Sequence, residues 1–432
     1  MRKVPLILAF AATILLMLSS CGDEMSGTVT YTANVPVYMP FSEFRSAKSA
    51  QPVRKMVNPG KICLYGDYLF INEVGKGIHV VDNSNPAAPK QMSFIELLGN
   101  VDVTLKDDIL YADSYIDLVW FDLSNPAQPV EIGRSEDVFP NVLPPTNNNY
   151  PMQGLDFTKG VVIEWEVKEI KEKVDYQPYY PCPNCYYNLS EAADYGWKKA
   201  GTWTSSETAS GTNFTSVTGS MSRFALSGDY LYVVNNNSLK VFSLLEGAAA
   251  KVYEQYIGWA VETIFPYGDK LFFGTTNGMV IYDITNPTFP TYLSSVAHVL
   301  GCDPVVVQGD YAFVTIRGGN VCGQNQSLLE VIDISDPSNP AIKGSFTMQE
   351  PYGLGIDGNT LFVCDGGLNV YDATNPVQAG TRRIKQFSDI HGYDVIPYNS
   401  TLILIGNDGL YQYDYSDVQN IRELSALKIE NE

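Results

Sequence analysis

Seven times along this chain one pattern recurs: a short strand of the Gly-Asp-Tyr-Leu-Phe type, a few residues of turn, then an apolar strand that ends in Asp. Most copies continue into Ser/Thr-Asn-Pro. The apolar strands are Ile78-His79-Val80-Val81-Asp82, Leu118-Val119-Trp120-Phe121-Asp122, Leu239-Lys240-Val241-Phe242-Ser243, Met279-Val280-Ile281-Tyr282-Asp283, Leu329-Glu330-Val331-Ile332-Asp333, Leu368-Asn369-Val370-Tyr371-Asp372 and Leu410-Tyr411-Gln412-Tyr413-Asp414. Asp82 and Asp122 stand 40 residues apart, as do Ser243 and Asp283, and later copies follow after 50, 39 and 42 residues at Asp333, Asp372 and Asp414. A unit of about 40 residues is the length of one four-stranded propeller blade, a unit that buries its apolar faces only by stacking on its neighbours. Each unit is rich in Val, Ile, Tyr and Phe, bounded by Gly, Asn, Asp and Pro, and almost free of helical periodicity. The fold expected is therefore all-β, a seven-bladed β-propeller of four-stranded blades, within the usual four to eight.

One junction breaks the period. Asp122 and Ser243 are 121 residues apart, so about 80 extra residues are inserted between blades 2 and 3. The insertion, residues 135–222, holds the strand-like run Val161 to Val167, tyrosines around Pro181-Cys182-Pro183-Asn184-Cys185, and a Thr/Ser/Gly-rich tract from Gly201 to Ser220. The propeller itself covers 56–430. At its end Ile421 to Ile429 forms the last outer strand, and the alternating stretch Val29 to Tyr38 is a candidate to pair beside it and close the ring.

The strand ending in Asp with Ser/Thr-Asn-Pro after it resembles the LVIVD repeat family of bacterial surface proteins, over roughly residues 56 to 430 apart from the insertion. The resemblance implies a β-propeller and leaves the biochemical role open. The third copy departs from it, with Ser243 in place of Asp and no Asn-Pro.

Residues 1–20 carry Arg2 and Lys3, an apolar run from Val4 to Leu18 and a small-residue end, the layout of an export signal. Leu18-Ser19-Ser20-Cys21 resembles the lipobox of bacterial lipoproteins, which implies cleavage before Cys21 and a lipid on its sulfur. Residues 21–55 then form a tether, and Gly22-Asp23-Glu24 is similar to the surface-export tag of Bacteroidetes lipoproteins. The expected location is the outer membrane, reached through the lipid anchor, with exposure at the cell surface implied by the tag. The chain carries a formal charge of −20, and loss of Arg2 and Lys3 makes it more acidic still. Such a surface repels nucleic acid and anionic headgroups, so neither is an expected partner.

Of the seven cysteines, six besides Cys21 remain to be placed in a compartment that allows disulfides. Cys302 and Cys322 bracket the first two strands of the fifth blade on one rim and are candidates for a bridge. Cys182 and Cys185, two residues apart, read first as a structural disulfide, with a redox dithiol or a metal pair as alternatives. Cys63 and Cys364 lie inside apolar strands and read as small buried hydrophobes.

Aligned blades expose the residues that begin each inner strand: Lys61, Asp102, Arg223, Glu262 with Thr263, Asp303 with Pro304, Tyr352 with Gly353, and Asp394. Inner strands line a propeller's channel, so these residues are expected to ring one mouth of it, with His391 beside them. Either their charges pair with one another, or they hold a ligand or a divalent cation, for which Asp102, Asp303 and Asp394 would be ligands. No Gly-x-Ser-x-Gly elbow, His-Glu-x-x-His pair or phosphate-cradling glycine loop is present. The leading expectation is a non-catalytic scaffold with no cofactor, binding an envelope protein or a glycan through the face that carries the insertion, the Cys322 hairpin and the ring. A metal-dependent hydrolase or lactonase at the channel mouth is the alternative.

Overall fold

The computed structural model describes residues 26–48, 50–140, 142–175, 216–245, 247–298, 304–318 and 326–429. Seven antiparallel blades follow one another in chain order. Blade 1 comprises Pro59–Tyr65, Tyr68–Glu73, Gly77–Asp82 and Lys90–Glu96, and blade 7 comprises Gly392–Tyr398, Thr401–Gly406, Gly409–Asp414 and Arg422–Lys428. In every blade the strand written first is innermost.

The repeat residues now have physical jobs. Its Gly-Asp makes the turn between inner and second strands, where Gly66 has φ +55° and Asp107 adopts the same left-handed region in blade 2. The closing Asp is a turn cap. Asp82 Oδ1 accepts hydrogen bonds from the Ser84 amide (3.0 Å) and hydroxyl (2.7 Å), and Asp122, Asp333 and Asp414 repeat this with Ser124, Ser335 and Ser416. These bonds stabilise the ionised form and hold each carboxyl below its usual range, Asp414 at about 2. The Asn-Pro or Asp-Pro that follows turns a carbonyl toward the preceding blade. Ser93 Oγ of blade 1 donates to Pro126 O of blade 2 (3.3 Å), Tyr232 Oη of blade 3 to Pro287 O of blade 4 (2.9 Å), and Ser294 Oγ of blade 4 to Pro337 O of blade 5 (2.5 Å).

Ring closure uses the same staple. Ser425 Oγ of blade 7 donates to Pro86 O of blade 1 (2.6 Å), and the Gln412 and Asn83 amides exchange two hydrogen bonds of 2.7 and 3.0 Å. Beneath them Ile62, Leu64, Leu69, Ile71 and Val81 of blade 1 pack on Ile396, Ile403, Ile405 and Leu410 of blade 7. All four strands of each of these blades come from one stretch of chain, so the ring closes by face packing and without exchange of a strand. This corrects the expectation for Val29 to Tyr38. That stretch lies within Ser26–Met39, which pairs with Val161–Asp175 of the insertion over fourteen residue pairs and forms a separate two-stranded ribbon.

Blades 3 and 4 form one six-stranded sheet. Ala250–Tyr267 is both the outer strand of blade 3 and the inner strand of blade 4, and Val261 pairs with Asn236 on one side and Thr275 on the other. The unit lacking the Asp cap is thus stitched to its successor by backbone. Blade 1 gains two short additions, Ala50–Gln51 on its outer edge and Val217–Thr218 on its channel edge. A short helix, Phe41–Phe44, seats Phe44 against Tyr115, and Arg45 binds Asp117 through Nε and Nη2 at 2.9 and 3.0 Å.

Gln412→Ala removes the four hydrogen bonds this side chain makes with Asn83, Pro86 and Ser425 and strands the Asn83 amide at the closing interface. The variant is expected to lose about 1–3 kcal/mol of stability, read as a lower urea midpoint at unchanged m.

Candidate functional site

The connections between blades and the hairpins between second and third strands lie on one face, as hydrogen bonds from Gly75 N to Asn100 O, Ser114 Oγ to Leu98 O and Asn407 N to His391 O show. The base of the ribbon is on that face too, where Tyr115 Oη donates to Ile163 O (2.9 Å). The insertion, the N-terminal strand and the channel ring therefore share a side.

Four of the ring residues meet across blades 7, 1, 2 and 3. Lys61 Nζ lies 2.6 Å from Asp102 Oδ2, both side chains being almost wholly buried. The same carboxylate oxygen accepts the Arg223 backbone N–H (3.0 Å), and the Arg223 guanidinium reaches Asp113 Oδ2 at 2.8 Å. Asp113 Oδ1 in turn accepts the Val101 and Asp102 amides and the Asn100 side chain. Burial pushes the Lys61 ammonium down to about 8 against the pull of Asp102. It pushes the Asp113 carboxyl up against Arg223. Asp394, also buried, is raised far above the carboxylate range by burial, with the Val395 amide and Lys61 opposing. Gly353 allows this arrangement, since a Cβ there would stand 2.3 Å from Asp394 Oδ1.

The ring is not an open mouth. Residues 216–222, the end of the insertion, run inside the channel. Ser216 N donates to Leu105 O of blade 2, Val217 and Thr218 pair antiparallel with Leu64 and Cys63 of blade 1, Ser220 Oγ accepts Leu354 N of blade 6, and Ser222 O accepts Ile264 N of blade 4. Ser220 and Ser222 are buried. This segment is thus bonded to the inner strands of four blades. Nothing in the repeat alignment signals it, because it is one copy of a pairing with no periodic counterpart.

The remaining ring residues separate from this network. Glu262 is half-buried on blade 4 beside buried Thr263. Tyr352 belongs to a mouth cluster: its ring lies 5.8 Å from that of Tyr393, the Arg317 guanidinium sits 4.3 Å above its centroid, and its hydroxyl donates to Glu350 at 2.7 Å. Burial pushes the Tyr352 phenol up to about 12. His391 is exposed on the adjoining connection. Sequence alignment found Tyr352 and His391 but missed Arg317 and Asp113, which lie at the ends of second strands.

Asp303, Cys302, Cys322, Cys182, Cys185 and Cys21 lie outside the described residues, as do the tyrosines around Cys182. Cys63 and Cys364 are buried free thiols, raised by burial as core residues are. His79 is a core group as well, with its ring 4.8 Å from Phe94 and Nε2 3.0 Å from Glu73 Oε2.

The LVIVD repeat profile matches residues 59–95, 101–137, 218–242, 264–298 and 302–348, the stretches of blades 1 to 5. These five segments are similar to the LVIVD repeat. Blades 6 and 7 share their geometry beyond the matched segments. No curated protein matches the chain. Among solved structures, a putative 6-phosphogluconolactonase from Bacteroides uniformis aligns at TM-score 0.52 and 12% identity, over 86% of this chain and 97% of that one. A protein from Lactobacillus plantarum aligns at 0.50 and 11%, over 85% and 96%. Kluyveromyces lactis Hsv2p aligns at 0.46 and 12%, over 88% and 100%. At these identities the likeness is one of fold.

Asp394 supplies a test of the buried network. Its folded carboxyl titrates above its unfolded value, so its stabilising contribution is complete at acid pH and is lost as pH rises through the folded pKa. Asp394→Asn fixes the neutral form. The variant is expected to gain stability relative to the parent between pH 4.5 and 8 in urea titrations, whereas parallel curves would contradict the raised carboxyl.

Proposed function

We propose that this LVIVD propeller is a cell-envelope lipoprotein acting as a non-catalytic binding scaffold for a protein or glycan partner, engaged through the face that bears the insertion. The observation that carries this reading is the state of the channel: Lys61, Asp102, Arg223 and Asp113 are paired with one another, and the chain's own residues 216–222 are bonded to the inner strands around it. What that face offers a partner is the mouth cluster of Arg317, Tyr352 and Tyr393. Arg and Tyr are the residue types that dominate interface hot spots.

The tether suits the same reading. Fourteen residues of strand at roughly 3.4 Å each make a ribbon about 45 Å long. It rises from the face that would do the binding and ends at Ser26, close in sequence to Cys21. A lipid on Cys21 would hold the propeller to the outer membrane with room for a partner beside the ribbon.

Two experiments test these claims. Cys21→Ser should abolish incorporation of labelled palmitate and release the protein from the membrane fraction; continued labelling would refute the lipoprotein assignment. Arg317→Ala with Tyr393→Ala should weaken retention of the envelope partner at least about tenfold, the loss of a hot spot, with the melting temperature little changed. An enzyme at the channel mouth would instead show turnover that disappears in Asp102→Asn and survives the Arg317/Tyr393 double variant.

A further inference from the structure

The ribbon has an edge that no strand among the described residues covers. Ser26–Met39 and Val161–Asp175 form a two-stranded sheet, and the outer edge of the first strand is covered at Asn34, whose amide donates to Pro151 O and whose carbonyl accepts Gln153 N. Val161–Asp175 pairs on its other side with no strand among the described residues. From Glu166 to Lys173 its side chains are exposed apart from half-buried Ile170. A two-stranded ribbon standing alone in water is marginal, and three or more strands are the usual minimum.

The sequence of that edge is ordered in a specific way. Lys168-Glu169-Ile170-Lys171-Glu172 reverses sign about Ile170: Glu169 is mirrored by Lys171, and Lys168 by Glu172. Two identical strands related by a twofold axis normal to their sheet must run antiparallel, with facing residues on the same side of the sheet. Centred on Ile170, that symmetry sets Glu169 against Lys171 and Lys168 against Glu172 of the other copy, twice each, with Ile170 facing itself. Every facing charge from 168 to 172 is then opposite in sign, the arrangement that stabilises cross-strand pairs. The neighbouring registers are penalised. Centring on Glu169 opposes Glu166 to Glu172 and Glu169 to itself, and centring on Lys171 opposes that lysine to itself.

We propose that the outer edge of Val161–Asp175 is a homodimer interface, on which a second copy of this chain pairs antiparallel about Ile170 to make a four-stranded sheet from two ribbons. On the side already paired, Glu169 faces Thr32 and Lys171 faces Thr30. Charges at 169 and 171 can therefore be exchanged without creating a like-charge contact inside the ribbon.

Sedimentation velocity on the full purified chain tests the register. The parent should be dimeric. Glu169→Lys alone sets lysine against lysine and Lys171→Glu alone sets glutamate against glutamate, so each should weaken self-association at least tenfold. An equimolar mixture of the two single variants should dimerise, because every facing pair between them is opposite in sign. The double variant Glu169→Lys, Lys171→Glu should dimerise by itself. A monomeric parent overturns the proposal. So do single variants that associate as the parent does, or a mixture and a double variant that both stay monomeric.

Discussion

The structure depends on one contact, the packing of the face of blade 7 on that of blade 1. A ring of blades is an open stack until its ends meet, and here no strand is exchanged to join them. Closure falls to side chains: the isoleucine and leucine layer of Ile62, Leu69, Ile396 and Ile403, capped by the paired Gln412 and Asn83 amides and by Ser425 on Pro86 O. The apolar layer is non-directional and supplies most of the driving force, while the paired amides and the Ser425 bond fix position along the interface. The same division recurs at other junctions, where outer-strand residues such as Ser93 and Ser294 bond a proline carbonyl of the next blade. The Asn-Pro of the repeat is thus an element of blade-to-blade registration as much as a turn within a blade.

This explains what could be read from the sequence and what could not. Blade number, strand order and the insertion at residues 135–222 are periodic or breaks in a period, and periodicity is visible in one dimension. The Asp that ends the third strand announces its own local bonds to Ser two residues on. Pairings formed once leave no such trace. Val29 to Tyr38 alternates as a strand should, but alternation is satisfied by any antiparallel partner, and the longer match was Val161–Asp175. The path of residues 216–222 through the channel was equally hidden, since Ser, Thr and Val in a Thr/Ser/Gly-rich tract carry no signal of the inner strands they meet.

The ring was half legible for a related reason. Aligning inner strands places Lys61, Asp102, Arg223 and Asp394 at one level, and the structure joins Lys61, Asp102 and Arg223 through hydrogen bonds and puts Asp394 within the field of Lys61. Asp113 closes the network from the end of a second strand, a position outside that alignment. Its role follows from geometry: with Arg223 bound to Asp113 and its own amide on Asp102, the first residues of blade 3 are clamped to blade 2 despite the long insertion between them.

That clamp gives the insertion its structural logic. A segment of this length between two blades would let them drift apart if nothing held its ends, although loop closure entropy grows only slowly with length. Both ends are held. Phe139 N bonds Ile116 O at the start, and Ser216 to Arg223 bond to blades 1, 2, 4 and 6 at the finish. Blade 3 begins directly after the clamp and is the copy that lacks the Asp cap and the Asn-Pro. At its junction with blade 2, Ser135 Oγ donates to Ala249 O in place of the proline carbonyl, and on the other side Ala250–Tyr267 runs on into blade 4 as a shared strand. The departure from the repeat and the insertion are then parts of one solution. The blade that interrupts the pattern is fastened on one side by buried charge and on the other by a continuous strand, which leaves the ring rigid enough to present a ribbon and a mouth cluster on the same face.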